Sequence, residues 1–243
     1  MHEELWLTRI FNDYLAGPAN AILNAVGQPA HNQARPWENW ITMEILVLAI
    51  IVVVVAVLRS GLSTDKPGPL QHLFELIYNF LKDTTEEAGI PHGEKYVPLF
   101  GTLFIFILFA NLIGIVPGFE SPTMFTWVPT GLAVISFAYY NYMGFRSNGF
   151  GYVKHFLGPI WWLAPLMLPI EIISHFARPM SLTIRLYANM FAGEQVTLAF
   201  LKIVPLFVPV IFMGLHVFVS FLQAYIFTLL SMIYVGGAME HEH

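Results

Sequence analysis

Long unbroken apolar runs, rather than the alternation of a half-buried strand, dominate the hydrophobic pattern of this 243-residue chain. A helix needs roughly 20 apolar residues to cross the hydrocarbon core of a bilayer. Residues 41–58 form the first such run, interrupted only by Glu44. Residues 97–116 form the cleanest, with Asn111 as their one strong polar group. A turn through Pro117, Gly118, Glu120, Ser121 and Pro122 leads into residues 128–145, again without a charge. Two further runs, residues 160–200 and 203–235, are too long for a perpendicular crossing. As a helix the first of them would extend about 60 Å, twice the hydrocarbon thickness. Pro165, Pro169 and Pro179 would permit a break, but no polar loop divides either run. The pattern favours two long helices lying far from the membrane normal.

Two segments differ. Leu70–Glu87 sets Leu73, Phe74, Ile77, Phe80 and Leu81 on one helical face. It is too charged to span and apolar enough either to lie on a bilayer or to cap other protein. Residues 1–40 mix polar and apolar positions and lack the basic start and apolar core of a cleavable signal. The expected fold is therefore all-α: a polytopic membrane protein with about five transmembrane helices, one amphipathic surface helix and two long, strongly tilted C-terminal helices. It reads as a single membrane domain over residues 1–243. That domain comprises an N-terminal outer segment (1–40), a first span (41–58), the surface helix (70–87), a helical hairpin (97–145) and a long tilted hairpin (160–235).

Composition sharpens this. Charged residues make up 11% of the chain, against about 25% in a typical soluble domain, and hydrophobic residues 56%. Mean hydropathy is +0.63. A soluble fold would have to expose large apolar patches. With no cysteine, thiol catalysis, disulfides and thiolate metal sites are excluded, and a net charge of −5 argues against a nucleic-acid surface. Basic residues near the span ends set orientation. With the N-terminus outside, Arg59, Lys66, Lys82, Lys95, Arg146 and Lys154 fall inside and Arg9, Arg35 and Lys202 outside, so the C-terminus is expected in the cytoplasm.

Charges inside an apolar run carry the most information, because each is costly at the bilayer centre. Residues 160–200 hold Glu171, His175, Arg178, Arg185 and Glu194. Glu171, Arg178 and Arg185 are seven apart, close to two helical turns, so they share a face, extended by Ser181 and Asn189 on either side of Arg185. Glu194 lies on the opposite face. In the last run, His216, Ser220 and Gln223 follow i, i+4, i+7 spacing, and His216 is positioned to face Glu194. Arg185 has no evident carboxylate partner in its own helix, and arginine stays protonated in proteins. A partner acid on another chain is expected. No metal-ligand spacing, phosphate-binding loop, nucleophile–base pair or catalytic residue is present, and no cofactor is expected.

The run from Glu171 through Ser-His-Phe-Ala-Arg-Pro-Met-Ser181 and Arg185-Leu-Tyr-Ala-Asn189 to Glu194 resembles the signature of subunit a of rotary F-type ATP synthases. Leu215-His216, Leu222-Gln223-Ala224-Tyr225 and the stretch Asn111–Thr123 are similar to the same family. The resemblance implies a proton-translocating stator subunit of a bacterial inner membrane. Its implied partners are a ring of c subunits with ion-binding carboxylates, the b-subunit peripheral stalk, other synthase subunits and the lipid bilayer. Arg185 would be the essential arginine that prevents ion short-circuit. Glu194, His216, Asn189 and Gln223 would belong to the outer half-channel, Glu171 and Ser181 to the cytoplasmic exit, where His175 adds polarity. Arg178 is a second basic residue that not every member has, for which a headgroup or stator contact is expected. A stand-alone secondary transporter or channel is the alternative, but it would show an inverted repeat and paired broken helices, which are not found here. An intramembrane hydrolase would need a nucleophile–base pair.

Overall fold

Seven helices account for nearly all of the computed structural model, which describes residues 4–25, 27, 32–63, 66–90, 92–116, 118–149, 151–152, 164–203 and 208–239. Residues 160–163 at the start of the fourth run, Lys154 in the loop before it, Pro205 between the last two runs and the tail 240–243 lie outside them. The helices are α1 (Trp6–Ala25), α2 (Asn39–Ser60), α3 (Pro69–Glu87), α4 (Val97–Leu112), α5 (Trp127–Asn148), α6 (Ala164–Ile203) and α7 (Val208–Met239).

Helix α1 lies in the segment whose mixed pattern pointed to no element. The apolar runs became α2, α4 and α5 to within a few residues. In α2 only Thr42, Met43 and Val47 of 22 residues are buried, so its Val-rich middle faces outward as a lipid-facing span requires. By length and apolarity, Asn39–Ser60, Val97–Ile115 and Val210–Met239 each suffice to cross a membrane. Helix α6 runs unbroken over 40 residues with Pro169 and Pro179 inside it. Neither proline divides the helix in two, in keeping with the missing polar loop.

The core is a bundle centred on α7, which packs against α4, α5 and α6, while α5 also packs on α6. Phe100, Phe104 and Ile107 of α4 meet Tyr140 of α5, Leu182, Leu186 and Met190 of α6, and Ala224, Phe227 and Met232 of α7, all almost fully buried. Helices α4 and α5 follow one another in sequence; α4 packs chiefly on α7, and α5 packs on α6 and α7 alike. Their connection is pinned by Ser121 Oγ donating to the Ala110 carbonyl at 2.8 Å and Thr123 Oγ1 donating to Asn111 Oδ1 at 2.6 Å. Helix α3 divides its surface. Leu81, Thr84 and Thr85 are buried, with Thr85 Oγ1 3.6 Å from Met232 Sδ of α7, while Leu73, Leu76 and Phe80 stay exposed. Its C-terminal end caps protein and its earlier turns remain open to lipid or solvent.

Candidate functional site

The polar residues of α6 and α7 form two clusters separated by Arg185. Helix α6 turns Leu182, Leu186 and Met190 into the core, which leaves Arg185 half-buried at the edge of that packing and Ser181 exposed one turn earlier. Among the described residues Arg185 makes no hydrogen bond or ion pair.

One turn beyond Arg185, Asn189 Nδ2 donates to Gln223 Oε1 at 2.8 Å, bridging α6 to α7. Gln223 is 2% exposed and Ser220 fully buried. The Gln223 Nε2, Ser220 Oγ and His216 Nε2 atoms are buried with no partner among the described residues. His216 lies against Gly193: a Cβ there would stand 3.4 Å from its Cε1 and Nδ1. The absence of a side chain at Gly193 lets the imidazole approach α6. A cavity of about 250 Å³ opens at this point, lined by Asn189, Gly193, Val196, Thr197, Leu215 and His216.

Glu194 is half-buried but does not line that cavity. It stands within electrostatic reach of Glu120 in the α4–α5 connection, whose carboxylate accepts from Asn39 Nδ2 of α2 at 3.2 Å. His216 and Glu194 therefore flank Gly193 with no hydrogen bond between them. Glu120 was seen in the sequence only as part of a turn. Its approach to Glu194 depends on packing of the Pro122–Met124 turn against α6, which no local pattern announces.

The second cluster sits toward the N-terminal end of α6. Arg178 Nη2 lies 3.7 Å from Glu171 Oε1, and its guanidinium stacks 5.3 Å from the centre of the Tyr234 ring of α7. His175 is 8% exposed and shares a hydrogen bond with the Tyr140 hydroxyl of α5, 3.0 Å from Nδ1. Glu171, His175, Arg178, Tyr152 and Tyr234 line a cavity of about 300 Å³. Glu171, Arg178 and Arg185 share a face, as their spacing requires, but only the first two pair. Arg178 thus contacts Glu171 and Tyr234 within the chain. Tyr140 and Tyr234 had no signal in the sequence, since tyrosines in an apolar helix are ordinarily core.

The resulting arrangement has Arg185, a cation without a partner among the described residues, between two polar cavities along α6. Fold and site together define a polytopic helical membrane protein with charged and polar side chains in its interior. A sequence model described as ATP synthase A chain matches residues 41–236. The protein named ATP synthase subunit a from Solibacter usitatus is 62% identical over 235 residues, covering 96% of this chain and all of its own length. That from Koribacter versatilis is 51% identical over 245 residues, covering both chains fully. ATP synthase subunit a 1 from Syntrophotalea carbinolica is 44% identical over 198 residues, covering 82% of this chain and 84% of its own. The chain belongs to the ATP synthase A chain family and is its bacterial type: the ion-translocating stator subunit of the F-type ATP synthase, a membrane protein that works with the other synthase subunits.

Proposed function

We propose that this subunit moves protons along two offset half-channels that meet a rotating ring of c subunits on either side of Arg185. The observation that carries the reading is the half-buried guanidinium of Arg185 without a carboxylate partner among the described residues. A permanent charge is retained at such a position when its counter-ion comes from outside, here the ionised carboxylate of each passing c subunit. Lysine can shed its proton on desolvation and arginine does not, so only arginine gives a barrier that stays charged. The barrier is needed because one charge crossing the membrane carries about 2.3 kcal/mol per 100 mV. A direct leak would dissipate that energy without turning the ring.

On the outer side, Glu194, His216, Asn189 and Gln223 receive and pass on the proton. His216 Nε2, Ser220 Oγ and Gln223 Nε2, buried without a partner among the described residues, supply polar groups along that route. Toward the cytoplasm, Glu171, His175 and Ser181 line the exit, with Arg178 fixing the Glu171 carboxylate. The surface offered to the ring is the uncovered apolar face of the α6–α7 pair, which includes the exposed Ile173, Phe176, Met180 and Ile184 on α6 and, further along the pair, Leu215 and Phe218 on α7. Helices of 40 and 32 residues extend about 60 and 48 Å, so both must tilt strongly to remain within a bilayer. The b-subunit peripheral stalk would hold this subunit against the ring. The N-terminus would lie outside and the C-terminus in the cytoplasm.

The test is Arg185→Ala in the whole synthase, reconstituted in vesicles. ATP-driven proton pumping should be abolished while the complex assembles with normal subunit content. Pumping at near-normal coupling would refute the reading.

A further inference from the structure

Helix α1 is amphipathic the wrong way round for a helix resting on its own protein. At about 100° per residue, Trp6, Ile10, Tyr14, Leu15, Ile22 and their neighbours Leu7 and Phe11 fall within one half of its circumference. The opposite half carries Thr8, Arg9, Asn12, Asp13 and Asn20. It is the polar side that the protein holds. Thr8 Oγ1 and Thr42 Oγ1 of α2 share a buried hydrogen bond at 2.7 Å, Asn12 Nδ2 donates to the Trp37 carbonyl at 3.1 Å, and the Trp37 amide donates to Asn12 Oδ1 at 2.9 Å. Much of the apolar side is left uncovered, Tyr14 at 80% and Ile22 at 65% exposure.

The level of α1 is fixed. The Leu5 amide donates to Asn39 Oδ1 at 3.2 Å, and Thr8 meets Thr42, so the helix begins beside the first turn of the apolar span α2. Trp40 at the start of α2 and Trp127 at the start of α5 line one cavity and therefore mark the same end of the bundle. With Trp6 and Trp37 they gather at one boundary, as the aromatic belt of a membrane protein does. The apolar side chains of α2, Ile45, Leu48 and Val52 among them, are likewise uncovered.

We propose that α1 lies in the lipid interface at this boundary, its Trp6–Tyr14–Ile22 side inserted between headgroups and acyl chains and its Thr8–Asn12 side bound to the protein. Arg9 and Asp13 are its only charges and they cancel, so insertion is driven by apolar area and does not require anionic lipid. The inference rests on the membrane placement of α2 but on no part of the ion path.

The chain has no cysteine, so single cysteines can be placed for nitroxide labels. Tyr14→Cys, Ile22→Cys, Asp13→Cys and Val52→Cys would be examined in the full synthase, its other subunits freed of cysteine, in phosphatidylcholine vesicles with and without phosphatidylglycerol. Labels at positions 14 and 22 should collide several-fold more with dissolved oxygen than with a water-soluble nickel chelate, and the label at position 13 should show the reverse. Phosphatidylglycerol should leave both ratios unchanged. Nickel collisions dominating at positions 14 and 22, or labels there immobilised and shielded from both reagents by another subunit, would overturn the proposal. The label at position 52 separates the two failures: if it also reports water, the membrane placement of α2 is wrong, and if it reports lipid, only the placement of α1 is.

Discussion

Asn189 and Gln223 are 34 residues apart in sequence, yet the amide of one donates to the other at 2.8 Å, tying α6 to α7 one turn beyond Arg185. Such a bond inside a membrane contributes about 0.6 kcal/mol on average and about 1.7 at most. Gln223→Leu should accordingly lower the thermal midpoint of the assembled synthase only slightly. Proton flux through the complex should fall much further, because the buried amide next to Arg185 is lost. A variant that fails to assemble, or that assembles and conducts normally, would assign the pair a purely structural role or none.

Helix α7 approaches the end of α3 so closely that a Cβ at Gly236 would stand 2.1 Å from the Ala88 carbonyl oxygen. That atom is backbone and cannot swing aside. Gly236→Ala is expected to cost about 1–3 kcal/mol, the usual range for overpacking. At Gly237 a Cβ meets nothing within 4 Å, and Gly237→Ala should be near neutral. Thermal unfolding of the two variants side by side gives the comparison, and equal midpoints would contradict this packing.

Asn111 is fully buried in α4, with Oδ1 receiving the Thr123 hydroxyl at 2.6 Å and Nδ2 3.5 Å from the Ser220 carbonyl of α7. Thr123→Val removes the donor and leaves a buried acceptor unsatisfied, at a cost of about 1–3 kcal/mol. Thr123→Ser keeps the hydroxyl and should retain most of the stability. A loss in Thr123→Ser with Thr123→Val unaffected would point to the methyl group instead.

Outside the spans, Lys82 of α3 hydrogen-bonds Glu94 in the turn before α4. That bond, reinforced by the ammonium charge, holds the Glu94 carboxyl below its usual range and raises Lys82 above its own. The stabilisation is therefore present above the unfolded carboxyl value of about 4.3 and below the unfolded ammonium value of about 10.4. It fades as pH falls through the lowered Glu94 value or rises through the raised Lys82 value. The pair is exposed and its share small. The stability difference between wild type and Glu94→Gln should shrink toward zero in strong acid, and a difference independent of pH would show that the pair contributes nothing electrostatic.

The apolar spans were legible because a membrane helix must carry its own signal: α2 and α4 satisfy their backbones internally and show lipid-facing residues in unbroken runs. The charges of α6 were legible for the same reason, since Arg185 stands out in any apolar background. What lay beyond the sequence was tertiary. Helix α1 runs through Gly17 and Pro18, two helix breakers in sequence, and is held by Thr42 and Trp37, far along the chain. Glu171 pairs with Arg178 while Arg185 does not, although one spacing relates all three. Arg178 is also held over the Tyr234 ring of α7, a contact that helical spacing does not reveal. Glu120 comes within electrostatic reach of Glu194 across the fold, beside a three-residue turn that packs on α6.

The role assigned to Arg185 makes two demands at once, transmission of force to the ring and closure of the path between the half-channels. Both are read by measuring ATP-driven pumping together with potential-driven proton leak, without nucleotide, in vesicles containing the Arg185→Ala synthase. Pumping should vanish and leak should rise above that of the wild-type complex. Retained pumping with an unchanged leak would contradict the account at its centre.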